Sequence, residues 1–279
     1  MNRCVLKRIV KQKNIVKYLY DIEGEWKRYF AVNEEYYIEY DMNIEDIPDS
    51  VLSIPFIGNI VVMASLFGAQ IQVKDIDKDF LESIPEFMEG YKNMYPELNI
   101  DYSQVVSYEN VISNSCKKSS TNAMLLFSGG VDAYSSLISH EEEKPLLVTI
   151  CGADVSSDNE NAWQKIIDNN NQTAENHGLP IVTIKSSFRK ILRNDLLDEW
   201  SFSVAGDNWW YLFHHSVAMM TMTSPYAYTN DIAICYFAST YSVNTGGGYK
   251  IASDPSIDNY VKFCGCQIVH DGFEFSRHE

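Results

Sequence analysis

A short apolar run, Ala123-Met124-Leu125-Leu126-Phe127, ends abruptly at Ser128-Gly129-Gly130-Val131-Asp132, and a helix-forming stretch from Ala133 to Ser139 follows at once. No other feature of the chain constrains its fold as strongly. Five consecutive apolar residues suit a strand buried on both faces, as strands of parallel sheets are. Two glycines remove Cβ where the chain must turn tightly, and they let backbone N–H groups approach an anion. The helix behind them adds unsatisfied N–H donors and the positive end of its dipole. A pyrophosphate fits that geometry. Ser128 has a hydroxyl to offer a phosphate oxygen. Asp132 repels a bare phosphate, so it reads either as a group acting through phosphate-bound Mg²⁺ or as a helix cap. The turn lacks the Gly-Lys-Ser/Thr of a Walker loop, so γ-phosphate transfer is not its natural chemistry. It also lacks the spaced glycines of a dinucleotide fingerprint.

The texture downstream repeats the theme. Pro145 to Cys151 reads as a second strand, Asn161 to His177 as a helix stopping near Gly178, and Ile181 to Ile184 as a third strand. Trp209 to Thr223 is a long apolar helix, and Ile232 to Ala238 a fourth strand. Strands alternating with helices predict βαβ units and a parallel sheet. Upstream, Ile15–Tyr20, Lys27–Val32 and Tyr36–Tyr40 are rich in β-forming residues and separated by turn-like stretches. Ile57–Phe67 reads as a buried helix and Ile71–Val73 as a short strand. Asp77–Tyr95 reads as an amphipathic helix with Phe80, Ile84, Phe87, Met88 and Tyr91 on one face. The apolar stretch Ile54 to Ala69 is interrupted by Pro55, Gly58 and Asn59, and it falls short of the ~20 residues that span a bilayer. The basic stretch Arg3–Lys17 is interleaved with Val, Ile and Leu, and suits an exposed strand or helix face. Polar residues from Ser113 to Asn122 read as a linker. The expected organisation is an N-terminal α+β module (1–112), a linker (113–122) and a Rossmann-like α/β domain (123–279).

A formal net charge of −16 over 279 residues argues against a nucleic-acid enzyme, because binding a polyanion depends on Lys and Arg. The six cysteines are scattered and follow no secretory h-region, so reduced thiols in the cytoplasm are expected. Cys264-Gly265-Cys266 is too tight for the usual pair of zinc ligands on one knuckle.

Ser-Gly-Gly-x-Asp after an apolar strand resembles the signature of the PP-loop ATP pyrophosphatases. The resemblance implies an adenine nucleotide alpha hydrolase-like sheet that binds ATP with Mg²⁺ and cleaves it between the α- and β-phosphates. An adenylated substrate forms, and a nucleophile then displaces AMP. Within that superfamily, the order of features from Ala123 onward is similar to the 7-cyano-7-deazaguanine synthases of queuosine biosynthesis. Beyond the loop, Gly206-Asp207-Asn208 sits where the family has Gly-Arg-Asn. Ser253-Asp254-Pro255 to Phe263 sits at its Asp-containing segment leading to Phe, and Phe275-Ser276-Arg277-His278-Glu279 resembles its Thr-Lys-x-Glu. There are departures. Ala133 and Tyr134 follow Asp132 where the family places Ser, which removes a hydroxyl that Ser135 or Ser136 would have to replace. Asp207 reverses a charge, and Arg277 keeps one with a different donor geometry. The family's four-Cys zinc knuckle lies beyond the Thr-Lys segment. The expectation is therefore a domain truncated at its C-terminus, without structural zinc.

The resemblance implies a nucleotide site of Ser128, Gly129, Gly130, Val131, Asp132, Ser135, Cys151 and Asn208. Asp132 would act on phosphate-bound Mg²⁺, and Arg277 is preferred over Lys250 and Lys262 as the cation for the leaving pyrophosphate. Asp154, Asp254 and His214 are substrate candidates; of His214 and His215, one faces a pocket and the other packs. Gly246-Gly247-Gly248 reads as a substrate loop or a plain turn. The expected activity is an ATP-dependent ligase forming a carbon–nitrogen bond. It would activate a carboxylate or carbonyl on a small molecule, base-like group or protein terminus. Two alternatives stand beside it: a degenerate nucleotide-binding module that docks a protein partner through its N-terminal half, and a tRNA-modifying enzyme, which the acidic balance disfavours. A homodimer is compatible with the sequence, and no membrane association is expected.

Overall fold

A computed structural model describes residues 2–115, 122–242 and 249–275. The chain opens with a long antiparallel pair, β1 (Asn2–Gln12) and β2 (Ile15–Glu23), turning at Lys13, whose φ is 54°. The basic N-terminal stretch is thus a strand pair with one face on the core, where Cys4, Val16 and Tyr18 are buried, and with charges on the other that obscured its period. The strand expected at Lys27–Val32 is instead a 3₁₀ turn, Glu25–Tyr29, in which Trp26 and Tyr29, three residues apart, are both buried. β3 (Tyr36–Tyr40) pairs with β2, and α1 (Asp49–Leu66) follows. α1 starts earlier than the apolar run suggested and carries Pro55 inside it. It is the one helix among the described residues long and apolar enough to cross a membrane, yet 89% of that stretch is buried inside the fold. β4 (Ala69–Gln72), β5 (Asp75–Asp77), α2 (Lys78–Met94), β6 (Val106–Ser107) and β7 (Asn110–Ile112) complete this half. Asp77 caps α2 by accepting the Phe80 N–H.

The second half alternates as its texture predicts: β8 (Asn122–Leu126), α3 (Val131–His140), β9 (Leu146–Cys151), α4 (Glu160–His177) and β10 (Ile181–Ser186). Then come α5 (Asn194–Ala205), α6 (His215–Thr221), α7 (Ser224–Thr229), β11 (Ile232–Ala238), α8 (Pro255–Asp258), β12 (Lys262–Phe263) and β13 (Cys266–Asp271). α5 and β13 were not legible in the sequence. The long helix expected over Trp209–Thr223 is broken into a π-helical turn, Trp210–His214, and then α6.

Among the described residues, eleven strands form one sheet in the order β12-β13-β11-β8-β9-β10-β3-β2-β1-β4-β6. β13, β11, β8, β9 and β10 are mutually parallel. Numbered by chain order, these five run 3-2-1-4-5, the doubly wound arrangement in which β8 and β11 flank the switch point. β8 is buried on both faces. Ala123, Leu125 and Phe127 pack with Leu137 of α3 and Ala174 of α4, while Met124 and Leu126 join the large core that includes α1 and α6.

The expected module boundary does not separate two packing units. β10 pairs with β3, so the sheet runs through from one half to the other, and one core cluster contains residues of both. The polar stretch before β8 is also tied down where it is described: Asn114 is buried, and its Nδ2 donates to Asp77 Oδ2 and Ser50 Oγ.

Candidate functional site

The glycine corner sits at the end of β8, the first strand of the parallel set, beside β11. In open α/β sheets the crevice beyond the strand ends at this switch point is where ligands bind. Gly129 has φ +80°, a left-handed conformation, and a Cβ there would overlap Asn170 Oδ1. Both the turn and the close approach of α4 therefore require glycine. Ser128 Oγ accepts the Gly130 N–H at 3.2 Å, and Gly130, the N-cap of α3, has no side chain with which to cap the helix. Behind the corner, Asn170 Nδ2 donates to Phe127 O (3.3 Å) and to Thr149 Oγ1 (3.1 Å), and Thr149 Oγ1 donates to the same carbonyl (2.9 Å). Asn170 lies within a run of three asparagines whose only sequence signal was repetition.

A pocket of about 250 Å³ opens against this corner, walled by Ser128, Asp132, Asp154, Trp210, His215 and Ser253 among others. Of the nucleotide and substrate candidates, the fold brings Ser128, Asp132 and Asp154 together here, with Gly129, Gly130 and Val131 in the same turn. It does not bring the others in. Ser135 is exposed on α3 and its carbonyl serves Ser139. Cys151 is fully buried, and burial pushes its thiol pKa up; Ile150 faces the pocket instead. Asn208 accepts the Tyr211 N–H and donates to Asp207, which is capping work at the entrance to the π turn. Asp254 caps α8 by accepting the Ser256 N–H, and its neighbour Ser253 is the residue on the wall. Arg277, the glycine triplet 246–248 and Cys116 lie outside the described residues.

His214 is the packing member of the histidine pair, which corrects its assignment to substrate. It is buried against Asn59, to whose Oδ1 its Nε2–H donates at 2.7 Å, and burial together with the Arg189 charge pushes its pKa down to about 3. His215 is the one on the pocket wall. The π turn explains the exchange, since it brings residues five apart onto one face, so that His215 Nδ1 donates to Trp210 O at 3.1 Å. Single π turns of this kind recur at functional sites. Burial lowers the pKa of His215, opposed by its backbone hydrogen bond and by the Asp258 and Asp154 charges. With Nδ1 protonated toward a carbonyl and the ring neutral, Nε2 is left as a basic nitrogen.

A cation that sequence reasoning missed lies beside the pocket. Arg189 Nη1 donates to Ala153 O at 2.6 Å, and its guanidinium stacks 4.1 Å from the centroid of Trp210. Burial pulls its pKa down from the ordinary value, and Asp154 and Asp198 act against that. Arg189 lines a second cleft that shares Ala153 and Asp154 with the pocket. Gly152 permits the bend between the two clefts: its φ is +102°, and a Cβ there would overlap Ser186 O. Lys250 instead pairs with Glu97 at 2.5 Å, and Lys262 is exposed on β12. Among the described residues no group of three or more His, Cys, Asp or Glu is placed to hold a metal ion. Asp132 alone would have to reach Mg²⁺ through phosphate oxygens.

Comparison of the chain with protein-family models, curated proteins and solved structures finds no match.

Proposed function

We propose that this protein is an ATP-dependent adenylating enzyme of the PP-loop type, which cleaves ATP to AMP and pyrophosphate to activate a carboxyl or carbonyl oxygen. One observation carries the reading: a Ser-Gly-Gly-Val-Asp corner, with a left-handed glycine and a glycine at the helix N-cap, opens onto a pocket at the switch point of a 3-2-1-4-5 parallel sheet. Backbone N–H groups there would hold the β- and γ-phosphates, with Ser128 beside them and Asp132 on Mg²⁺. Arg189, on the adjoining cleft, would supply the fixed positive group that developing negative charge needs. His215, neutral and basic, is placed to take a proton from a nitrogen nucleophile. The aromatic wall formed by Trp210, with Arg189 stacked on it, suits a planar, base-like substrate. That fits the resemblance to the 7-cyano-7-deazaguanine synthases.

The test is release of pyrophosphate and AMP from ATP and Mg²⁺, screened over carboxylated base-like compounds with an amine donor. Ser128→Ala is expected to lower turnover by about 10²-fold, the loss typical of one preorganised donor. Gly129→Ala is expected to abolish ATP binding. ATP that binds without AMP ever forming would make the protein a nucleotide-binding module instead. ATP that does not bind removes the proposal altogether.

A further inference from the structure

Beside the switch point lies a constellation that adenylation leaves unused. Asp258, the last residue of α8, is fully buried. A carboxylate in that position is costly unless donors surround it. Three do: Ser216 Oγ at 2.5 Å, Ser253 Oγ at 2.7 Å and His270 Nδ1 at 2.7 Å. His270, buried on β13, turns its Nε2 to Ser239 Oγ at 2.8 Å. Ser239 directly follows β11, is partly exposed, and lies between Ala238 and Thr240, both on the pocket wall. Tyr236 pairs with Leu125 across the parallel strands; counting three residues onward along each chain reaches Ser239 and Ser128. The serine therefore stands one strand over from the phosphate corner, at the same level of the sheet edge. No spacing in the sequence announces these three residues; the β11–β13 pairing and α8 assemble them.

The proton inventory gives the ring a direction. Ser239 Oγ has one proton and two acceptors in reach, His270 Nε2 and the Tyr241 carbonyl. If the proton points to the histidine, Nδ1 carries the ring's only hydrogen, toward Asp258. When it points to the carbonyl instead, Nε2 has no serine proton to accept. The first arrangement is therefore the competent one: Asp258 fixes the ring and Nε2 accepts from the serine, the division of labour of a nucleophilic Ser-His-Asp set.

We propose that Ser239, activated by His270 and Asp258, is a nucleophile that accepts an acyl group from a carboxyl compound activated as an ester or mixed anhydride. The acyl-donor identity rests on the adenylation reading: an acyl adenylate formed at the corner would be the natural donor. Ser239 Oγ bonds to the acyl carbon, its proton passes to His270 Nε2, and the carbon–oxygen bond to the leaving group breaks with its electron pair, releasing AMP. The product is a serine ester, open to attack by an amine or by water.

The experiment uses the full chain and a fluorophosphonate probe, which needs no ATP: an active serine displaces fluoride and gains a phosphorus–oxygen bond. Intact-mass and peptide mass spectrometry are expected to find one adduct, on Ser239. It should be absent from Ser239→Ala and form at least about 100-fold more slowly in His270→Gln, the scale of lost general-base assistance. An unlabelled wild type, or a label that survives Ser239→Ala, overturns the proposal. Should His270→Gln fail to fold by circular dichroism, wild type and Ser239→Ala decide the matter, since residue 239 is partly exposed and the change is small. AMP release measured on the same preparation separates the two readings. AMP without a Ser239 adduct removes the nucleophile and leaves adenylation standing; an adduct without AMP does the reverse.

Discussion

His214 and His215 are chain neighbours whose surroundings give them opposite uses. One buries an imidazole whose Nδ1 has no partner among the described residues, and the other lines the pocket. The burial of His214 has a thermodynamic consequence. In the unfolded chain an imidazole titrates near ~6.5; in the fold, burial and the nearby Arg189 charge hold His214 down at about 3. Above the unfolded value neither state binds the proton. As pH falls below it, the unfolded chain takes up the proton and the fold does not, so stability is lost, approaching about 1.4 kcal/mol per pH unit until the folded value is reached. His214→Phe is expected to cost about 1–3 kcal/mol at neutral pH by leaving Asn59 Oδ1 unpaired, and that deficit should narrow steadily toward pH 4. Urea midpoints of the two proteins across that range provide the check; a deficit independent of pH would mean that His214 takes up its proton as easily in the fold as out of it. The sequence marked the pair as one pocket residue and one packing residue. It could not say which, because the choice depends on a π turn that shifts the phase of everything after Trp210.

At the scale of elements, α1 meets α6 at Gly58, where an added Cβ would overlap the side chain of Thr221. Thr221 cannot yield easily, because its hydroxyl donates to Val217 O at 2.7 Å and the residue is fully buried. Gly58→Ala is therefore expected to destabilise by about 1–3 kcal/mol, the cost of overpacking. Pairing it with Thr221→Ala should recover part of that loss, as a double-mutant cycle in denaturant would register. The same contact explains why the interruption of the apolar run by Gly58 and Asn59 was informative: the glycine admits α6, and Asn59 receives His214 from just before it. Elements buried on two faces were the legible ones. β8, β9, β10 and β11 announce themselves as short apolar runs because both of their faces are covered. β1 did not, because Arg3, Lys7, Arg8 and Lys11 interrupt its apolar positions on an exposed surface. β13 did not either, since Gln267, His270 and Asp271 carry polar contacts to Asn259 just after α8, Ser239 just after β11 and His140 of α3. The glycine corner was readable from local residue types alone. The places of Arg189, His215 and the Ser239–His270–Asp258 contacts were not, because each depends on contacts between distant parts of the chain.

For the molecule as a whole, the question is whether the two halves are separable, and the sheet argues that they are not. β3 supplies the antiparallel neighbour of β10 through Ile184–Tyr40, Lys185–Glu39 and Ser186–Ile38. Without it, β10 would present a bare edge of unpaired N–H and C=O groups. The face opposite α3 would lose its cover as well: α1 packs on α6 and α7, and Tyr40 and Phe56 sit in the same core as Met124, Leu126 and Val148. Asp77 adds a polar tie across the halves. Its Oδ1 accepts the N–H groups of Phe80 and Cys264, and its Oδ2 accepts from Asn114, so the cap of α2 also holds the turn before β13. The fragment 122–279, which contains the whole parallel set, is therefore expected to lack a cooperative unfolding transition, whereas the full chain should unfold in one step. Urea titrations followed by tryptophan fluorescence test this directly. A fragment that unfolds cooperatively with a midpoint near that of the full chain would show that the N-terminal half is an appendage. A fragment without a transition would mean that the pocket depends on β3 and α1 for the rigidity of its floor, and that the site cannot be recovered by trimming the chain to its second half.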